Sequence, residues 1–146
     1  MKSFEREDLI RFEALNMLCG KLLGSGVHRT VFENAFDSSL VVKISNSHDG
    51  IRANYAEYEI WQEIQSSKYK RYFAQVKEMS GYGSILIADY VPDLPIGKYK
   101  IPSFFADLKR ENFGLVGTQI VCRDYAYNRI IEHIDKPIKL IGVEFR

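Results

Sequence analysis

Over residues 5 to 19, Leu9, Phe12, Leu15, Met17 and Leu18 recur among acidic and basic neighbours at mostly helical spacing. That pattern predicts an amphipathic lead helix, with Gly20 as its stop. From residue 21 to 45 the apolar runs shorten to Leu22-Leu23, Val31-Phe32 and Leu40-Val41-Val42-Lys43-Ile44. They are separated by Gly24-Ser25-Gly26 and Asp37-Ser38-Ser39, which predicts a three-stranded antiparallel meander. The polar cluster from 45 to 50 offers N-caps for a helix over 51–66, whose apolar face is read as Tyr55, Ile60, Trp61 and Ile64. Two further strands are expected over 73–79 and 84–90, joined across Gly81-Tyr82-Gly83.

Pro92, Pro95 and Pro102 exclude a long helix in the next segment, which reads as a connector. Beyond it come a polar loop over 107–112 and a hairpin of 113–116 with 119–122, turning at Gly117-Thr118. A helical stretch over 125–133 and a last strand over 138–145 complete the pattern, with no internal repeat.

Composition narrows the class. The chain has 146 residues, 46% of them apolar, with 20 Lys+Arg against 19 Asp+Glu, as expected of one globular domain. A domain of this size buries roughly two thirds of its unfolded surface and needs no metal or disulfide staple. A net charge of +1 gives no basis for a nucleic-acid or anionic-membrane partner. Cys19 and Cys122 have no ligand spacing and read as reduced packing residues. His28, His48 and His133 are too dispersed to suggest a metal site. Lys68-Tyr69-Lys70-Arg71-Tyr72 reads as a solvated helix end. The charged start lacks an apolar core, and no run approaches the roughly 20 apolar residues of a membrane span, so a cytoplasmic protein is expected.

Three places carry candidate chemistry. Gly24-Ser25-Gly26 lies between two strands, where glycines let backbone N–H groups approach a polyphosphate, although such a sequence also serves as a plain tight turn. Lys43 interrupts an apolar strand; its ammonium either meets an anion inside or reaches solvent on the other face. Glu57 shares a helix face with Ile60, Trp61 and Ile64 and therefore needs a cation, for which Lys43 is the candidate.

The ordered set resembles the protein-kinase-like superfamily in strongly shortened form. Asp107-Leu108-Lys109-Arg110-Glu111-Asn112 resembles the catalytic loop, with Asp and Asn at D-x-x-x-x-N spacing, and Asp124-Tyr125-Ala126 resembles the D-F-G element. The resemblance covers about residues 20 to 128. It implies an α+β fold, a five-stranded antiparallel sheet with a packed helix plus a minimal C-terminal lobe. The implied organisation is a lead helix over 1–19, an N-lobe-like part over 20–91 and a reduced C-lobe-like part over 92–146.

It also implies roles for individual residues. Gly24 and Gly26 would cover the phosphates of ATP, and Lys43 would contact the α and β phosphates while pairing with Glu57. Asp107 would accept the proton of the attacking hydroxyl, and Asn112 and Asp124 would hold Mg²⁺. Asp89, Tyr90 and Val91 would form the hinge that meets adenine, and Ala88 would leave a roomy back pocket.

The departures shape the expectation. Arg29 replaces the third glycine and either contacts phosphate or crowds it; Phe105-Ala106 stands where the family has His-Arg. The large helical lobe has no counterpart, so a protein partner or a second copy is expected to cover the reduced lobe. The expected function is therefore Mg-ATP binding with weak or restricted phosphotransfer to a protein or small-molecule hydroxyl. The alternative is a catalytically inactive kinase-like module that regulates a partner. An ordinary α+β domain with a solvated polar rim is the third reading.

Overall fold

The structure is a computed structural model that describes residues 13–126, 130–133 and 135–146. Strands β1 (Cys19–Ser25), β2 (Arg29–Asn34) and β3 (Leu40–Ser45) form the predicted meander, and β4 (Val76–Met79) and β5 (Ile85–Asp89) complete a five-stranded antiparallel sheet in the order β1-β2-β3-β5-β4. β3 is central, and Val41, Val42 and Lys43 are all buried because both faces of the strand are covered. The hairpin to β5 closes at Gly83, whose φ of +77° suits a residue without a Cβ.

The long helix (His48–Ile64) packs on β3, β4 and β5. Ser47 caps it, accepting a hydrogen bond from the Gly50 N–H. Its buried stripe is Gly50, Ala53, Asn54, Glu57, Ile60, Trp61 and Ile64, which corrects the expected face at Tyr55. Tyr55 lies about 180° around the helix from Ile64 at 100° per residue, so it leans over the β4–β5 turn and its hydroxyl donates to the Gly81 carbonyl.

The expected lead helix falls largely on residues 1–12, which lie outside the described residues; residues 13–18 are helical. Gly20 is not a stop, because the chain enters β1 at Cys19, held by Cys19 opposite Asn34 and by the Ala35 N–H donating to Leu18 O. The expected strand over 73–79 begins only at Val76. A 3-10 turn at Lys70–Tyr72 swings Phe73 out of the sheet, where it bridges to Cys122. In the expected solvated end the basic residues Lys68, Lys70 and Arg71 are exposed, but Tyr69 and Tyr72 are buried, with Lys68 and Arg71 lying over the two rings.

The expected connector contains a strand. β6 (Gly97–Pro102) pairs antiparallel with β9 (Leu140–Phe145), from Gly97 opposite Phe145 to Pro102 opposite Leu140. Pro102 is tolerated at the strand end, and Tyr99 and Ile101 alternate inward between exposed Lys98 and Lys100. β7 (Phe113–Val116) and β8 (Gln119–Cys122) form the predicted hairpin, turning at Gly117 with φ +61°. Of the expected helix over 125–133, Tyr125 and Ala126 are not helical, Ile130–His133 is, and residues 127–129 lie outside the described residues. Among the described residues no helix is long and apolar enough to cross a membrane.

One core joins the two parts. Ile60, Trp61 and Ile64 of the long helix meet Phe73, Phe104, Phe105, Phe113, Tyr125 and Phe145 below the sheet. Phe73 stacks on Phe104 with centroids 6.0 Å apart and meets Tyr125 edge-on at 4.9 Å. Gly114 locks the β7–β8 hairpin to the chain leaving β5: the Leu115 N–H donates to Pro92 O, and a Cβ on Gly114 would lie 2.3 Å from that same oxygen. Gly114→Ala should therefore cost about 2 kcal/mol or more, lowering the melting temperature by several degrees. Gly81→Ala, which meets nothing within 4 Å, should stay within about 0.5 kcal/mol of the parent in the same denaturation series.

Candidate active site

The register of the sheet sets the site. Arg29 lies opposite Ser45 and Val31 opposite Lys43, so the two-residue alternation puts Arg29, Val31 and Lys43 on one face. The long helix brings Asn54 and Glu57, one turn apart, to that face. Below, the Asp124 N–H donates to the Asn112 carbonyl, which sets the end of β8 beside the loop carrying Asp107 and Asn112.

The centre of the arrangement is the Glu57 carboxylate, with no exposed surface. Its Oε2 accepts from Lys43 Nζ at 2.8 Å, and its Oε1 accepts from Arg29 Nη2 at 2.7 Å and the Tyr125 N–H at 3.1 Å. Arg29 also donates to Asn54 Oδ1 at 3.2 Å and to Asp124 Oδ1 at 2.6 Å. Lys43 donates as well to Arg123 O at 2.5 Å. Two cations and two carboxylates thus close a neutral, fully hydrogen-bonded network. Among the described residues no buried side-chain nitrogen or oxygen lacks a partner.

The network forms the inner wall of a cleft of about 800 Å³ between the sheet and the loops at 105–112 and 122–126. Gly24 and Gly26 roof it, Asp89, Tyr90 and Val91 edge it, and Asp107, Asn112 and Asp124 line the opposite side. Gly24, Gly26, Lys43, Asp89, Tyr90, Val91, Asp107, Asn112 and Asp124 therefore border one cavity, while Glu57 lies behind its wall, bonded to Lys43. Neither roof glycine needs a positive φ, and a Cβ on Gly24 would meet nothing within 4 Å, so these glycines supply open space. Asp107 is exposed in the cleft, and its carbonyl accepts from Asn112 Nδ2 at 3.2 Å.

Details at the edge and back differ from expectation. The Asp89 N–H donates to Gln75 O and the Tyr90 N–H to Ser39 O, so both hold the sheet together. Ala88 is 2% exposed between Val41 and Val76 of the neighbouring strands and makes no back pocket; Val41, Ala53, Phe105 and Cys122 wall the cleft. Phe105 packs edge-on against Phe113 at 5.3 Å, so aromatic contact holds the loop where the family has His-Arg.

Sequence reading missed Asn54 and Arg123, and the inward role of Arg29. Arg29 neither roofs nor crowds the cavity; it turns inward, as its alignment on the Lys43 face allows. Asn54 was legible as the residue one turn before Glu57, and its Nδ2 also anchors Gly83 O at 2.8 Å. Arg123 gives no pattern signal. It joins Val91 O, Glu111 O and Asp93, each at 2.8–2.9 Å, and so ties hinge to loop.

The charges shape one another. Burial pushes the Glu57 carboxyl upward, but Arg29 and Lys43 more than overcome it and hold it at about 2. Asp124 is raised above its ordinary value by burial and by the Glu57 charge, which outweigh Lys43 and Arg29. Burial also raises the Cys122 thiol well above its ordinary value.

Magnesium can be tested against this geometry. Asp124 and Asn112 are adjacent hard oxygen donors, but Asp124 Oδ1 is already held by a 92%-buried guanidinium that Glu57 and Asn54 fix in place. No group of three His, Cys, Asp or Glu that could hold a metal occurs among the described residues. In this arrangement one oxygen of Asp124 is already committed to Arg29, and no step below is routed through a divalent ion.

No family model matches the chain, and no curated protein matches it. Among solved structures it is similar to the streptomycin–ATP–APH(2")-IIa ternary complex, with a TM-score of 0.47 and 21% identity over 66% of this chain and 32% of that one. It is also similar to the gentamicin–APH(2")-IIa complex, with a TM-score of 0.49 and 20% identity over 66% of this chain and 31% of that one. The chain spans about a third of the length of these proteins. The fold itself is α+β, a five-stranded antiparallel sheet with one main helix packed on it.

A depressed carboxylate pKa stabilises the fold above the ordinary value of 4.5, and this contribution is lost as pH falls toward about 2. Between pH 5 and 2 the parent should therefore lose roughly 3 kcal/mol more unfolding free energy than Glu57→Gln. Urea titrations across that range measure the difference. A parent and a variant with parallel pH profiles would contradict the Glu57 assignment.

Proposed function

We propose that the cleft binds a nucleoside triphosphate, ATP being the reference ligand, and that any phosphotransfer it supports is slow and restricted to a particular acceptor hydroxyl. The observation that carries this is Lys43: a buried lysine, oriented by Glu57 and Arg123 O, on the wall of an 800 Å³ cleft roofed by glycines. A cation fixed in a water-poor site stabilises phosphate oxygens without reorganising. Gly24 and Gly26 give the triphosphate room, Lys43 faces its α and β phosphates, and the base lies along Asp89–Val91. Asp107, exposed on the far side, is placed to accept the proton of an attacking hydroxyl.

A second reading, a kinase-like module that binds nucleotide and regulates a partner without turnover, is favoured by the guanidinium seated on Asp124. Loosening reacting groups by about 1 Å can cost roughly 100-fold in rate. Under either reading we place the protein in the cytoplasm. A protein partner or a second copy covers the reduced lower part, where Ile96 and Val116 are exposed.

ATP at about 100 times its dissociation constant should add roughly 2.7 kcal/mol to stability, a shift of several degrees in a thermal melt. Lys43→Met should abolish the shift. Asp107→Asn should keep it while eliminating release or transfer of the labelled γ-phosphate. A parent showing no shift at millimolar ATP would refute nucleotide binding, and one that shifts without ever transferring phosphate would favour the regulatory reading.

A further inference from the structure

Arg29 is the unexpected cation of the site, and its geometry assigns it a definite task. Asp124 borders the cleft with half of its side chain exposed, where an unneutralised carboxylate would repel a polyanionic ligand. Lys43 is engaged with Glu57 and Arg123 O, so the cation on Asp124 is Arg29. Its guanidinium is anchored from behind by Asn54 and Glu57, and the whole residue is 8% exposed. A guanidinium held on more than one side in a desolvated pocket is a fixed charge, since leaving would strand both it and part of Glu57 without a partner.

We infer that Arg29 is the resident counter-cation of the triphosphate site. It neutralises Asp124, so the ligand is held by Lys43 and Arg29 and needs no divalent metal. This rests on the nucleotide reading above and adds the charge form of the ligand: the metal-free triphosphate rather than its magnesium complex. It also makes Arg29 a positioning residue for Asp124 and Glu57 together, because one nitrogen, Nη2, bonds both carboxylates at 2.6 and 2.7 Å.

The test is the dissociation constant of ATP, measured by calorimetry in excess EDTA and in excess Mg²⁺. The parent should bind with constants within threefold of each other. Arg29→Met keeps a side chain of similar length and leaves Glu57 its bonds to Lys43 and the Tyr125 N–H. It should lose at least tenfold in EDTA and recover most of that with Mg²⁺, because Asp124 is then exposed to the metal. Adding Asp124→Asn to Arg29→Met should remove the Mg²⁺ dependence again.

Should Arg29→Met not fold, Asp124→Asn in the otherwise native chain decides: affinity within threefold of the parent in both buffers supports the inference. A tenfold loss confined to Mg²⁺ overturns it. Parent binding that is tenfold or more tighter with Mg²⁺ than in EDTA overturns it while leaving nucleotide binding intact. Absence of ATP binding in both buffers overturns the two together.

Discussion

A carboxylate with no access to water must be surrounded by donors, and the position of Glu57 decides where those donors lie. Its environment recruits one cation from β3, another from β2 and a backbone N–H from the chain after β8. Three segments far apart in sequence are thereby pinned to one turn of the long helix. The energetic logic is one of avoidance: the pairs gain little over an apolar core of the same shape, but removing any member leaves a buried charge uncompensated. The network is thus weak evidence for high stability and strong evidence for a specified geometry. Placing two carboxylates and two cations within bonding distance also fixes which charges face the cleft.

The lower part of the described molecule is built from rings and short strands. Phe73, released from the sheet by the turn before it, sits between Phe104, Phe105 and Tyr125. Phe113 and Phe145 continue the cluster to the β6–β9 ribbon. The loop with Asp107 and Asn112 is therefore anchored through Phe105 by packing, and through Asn112 and Arg123 by hydrogen bonds to backbone. Ring packing is less directional than the polar contacts it replaces. The loop is located, but the orientation of Asp107 is left to whatever ligand enters the cleft.

The elements with strong local grammar were legible in the sequence: the meander with its glycine and aspartate turns, the Ser47-capped helix and the Gly117 hairpin. Lys43 and Glu57 were legible too, since each is a charge placed where periodicity demands an apolar residue. What escaped reading obeyed nonlocal rules. β6 is a strand because β9 offers it a partner, and its flanking prolines conceal the alternation of Tyr99 and Ile101. Tyr55 looked like part of the apolar face because aromatic character was weighed above angular position, while polar Asn54 holds the place that angle assigns. Against the kinase-like pattern Arg29 stands in place of a third glycine, where it is expected to contact phosphate or crowd it. The register of β2 with β3, which no single strand contains, is what turns it inward.

That reversal alters the chemical meaning of the whole cleft. Without Arg29 the inner wall would set Lys43 alone against Glu57 and Asp124 and would be net negative. With Arg29 the same wall is neutral before any ligand arrives. A neutral, internally bonded wall does not need a divalent ion to be stable, and both of its cations border the cleft. The departure from the family pattern at the glycine turn and the occupied oxygen of Asp124 are therefore one event rather than two. On the proposed nucleotide reading, a covalently tethered cation takes the place of a diffusible one. Tethering removes the entropy of capturing a metal, but it also removes the metal's ability to move with the transferring phosphoryl group. On the proposed nucleotide reading, the arrangement would favour holding a triphosphate over cleaving it.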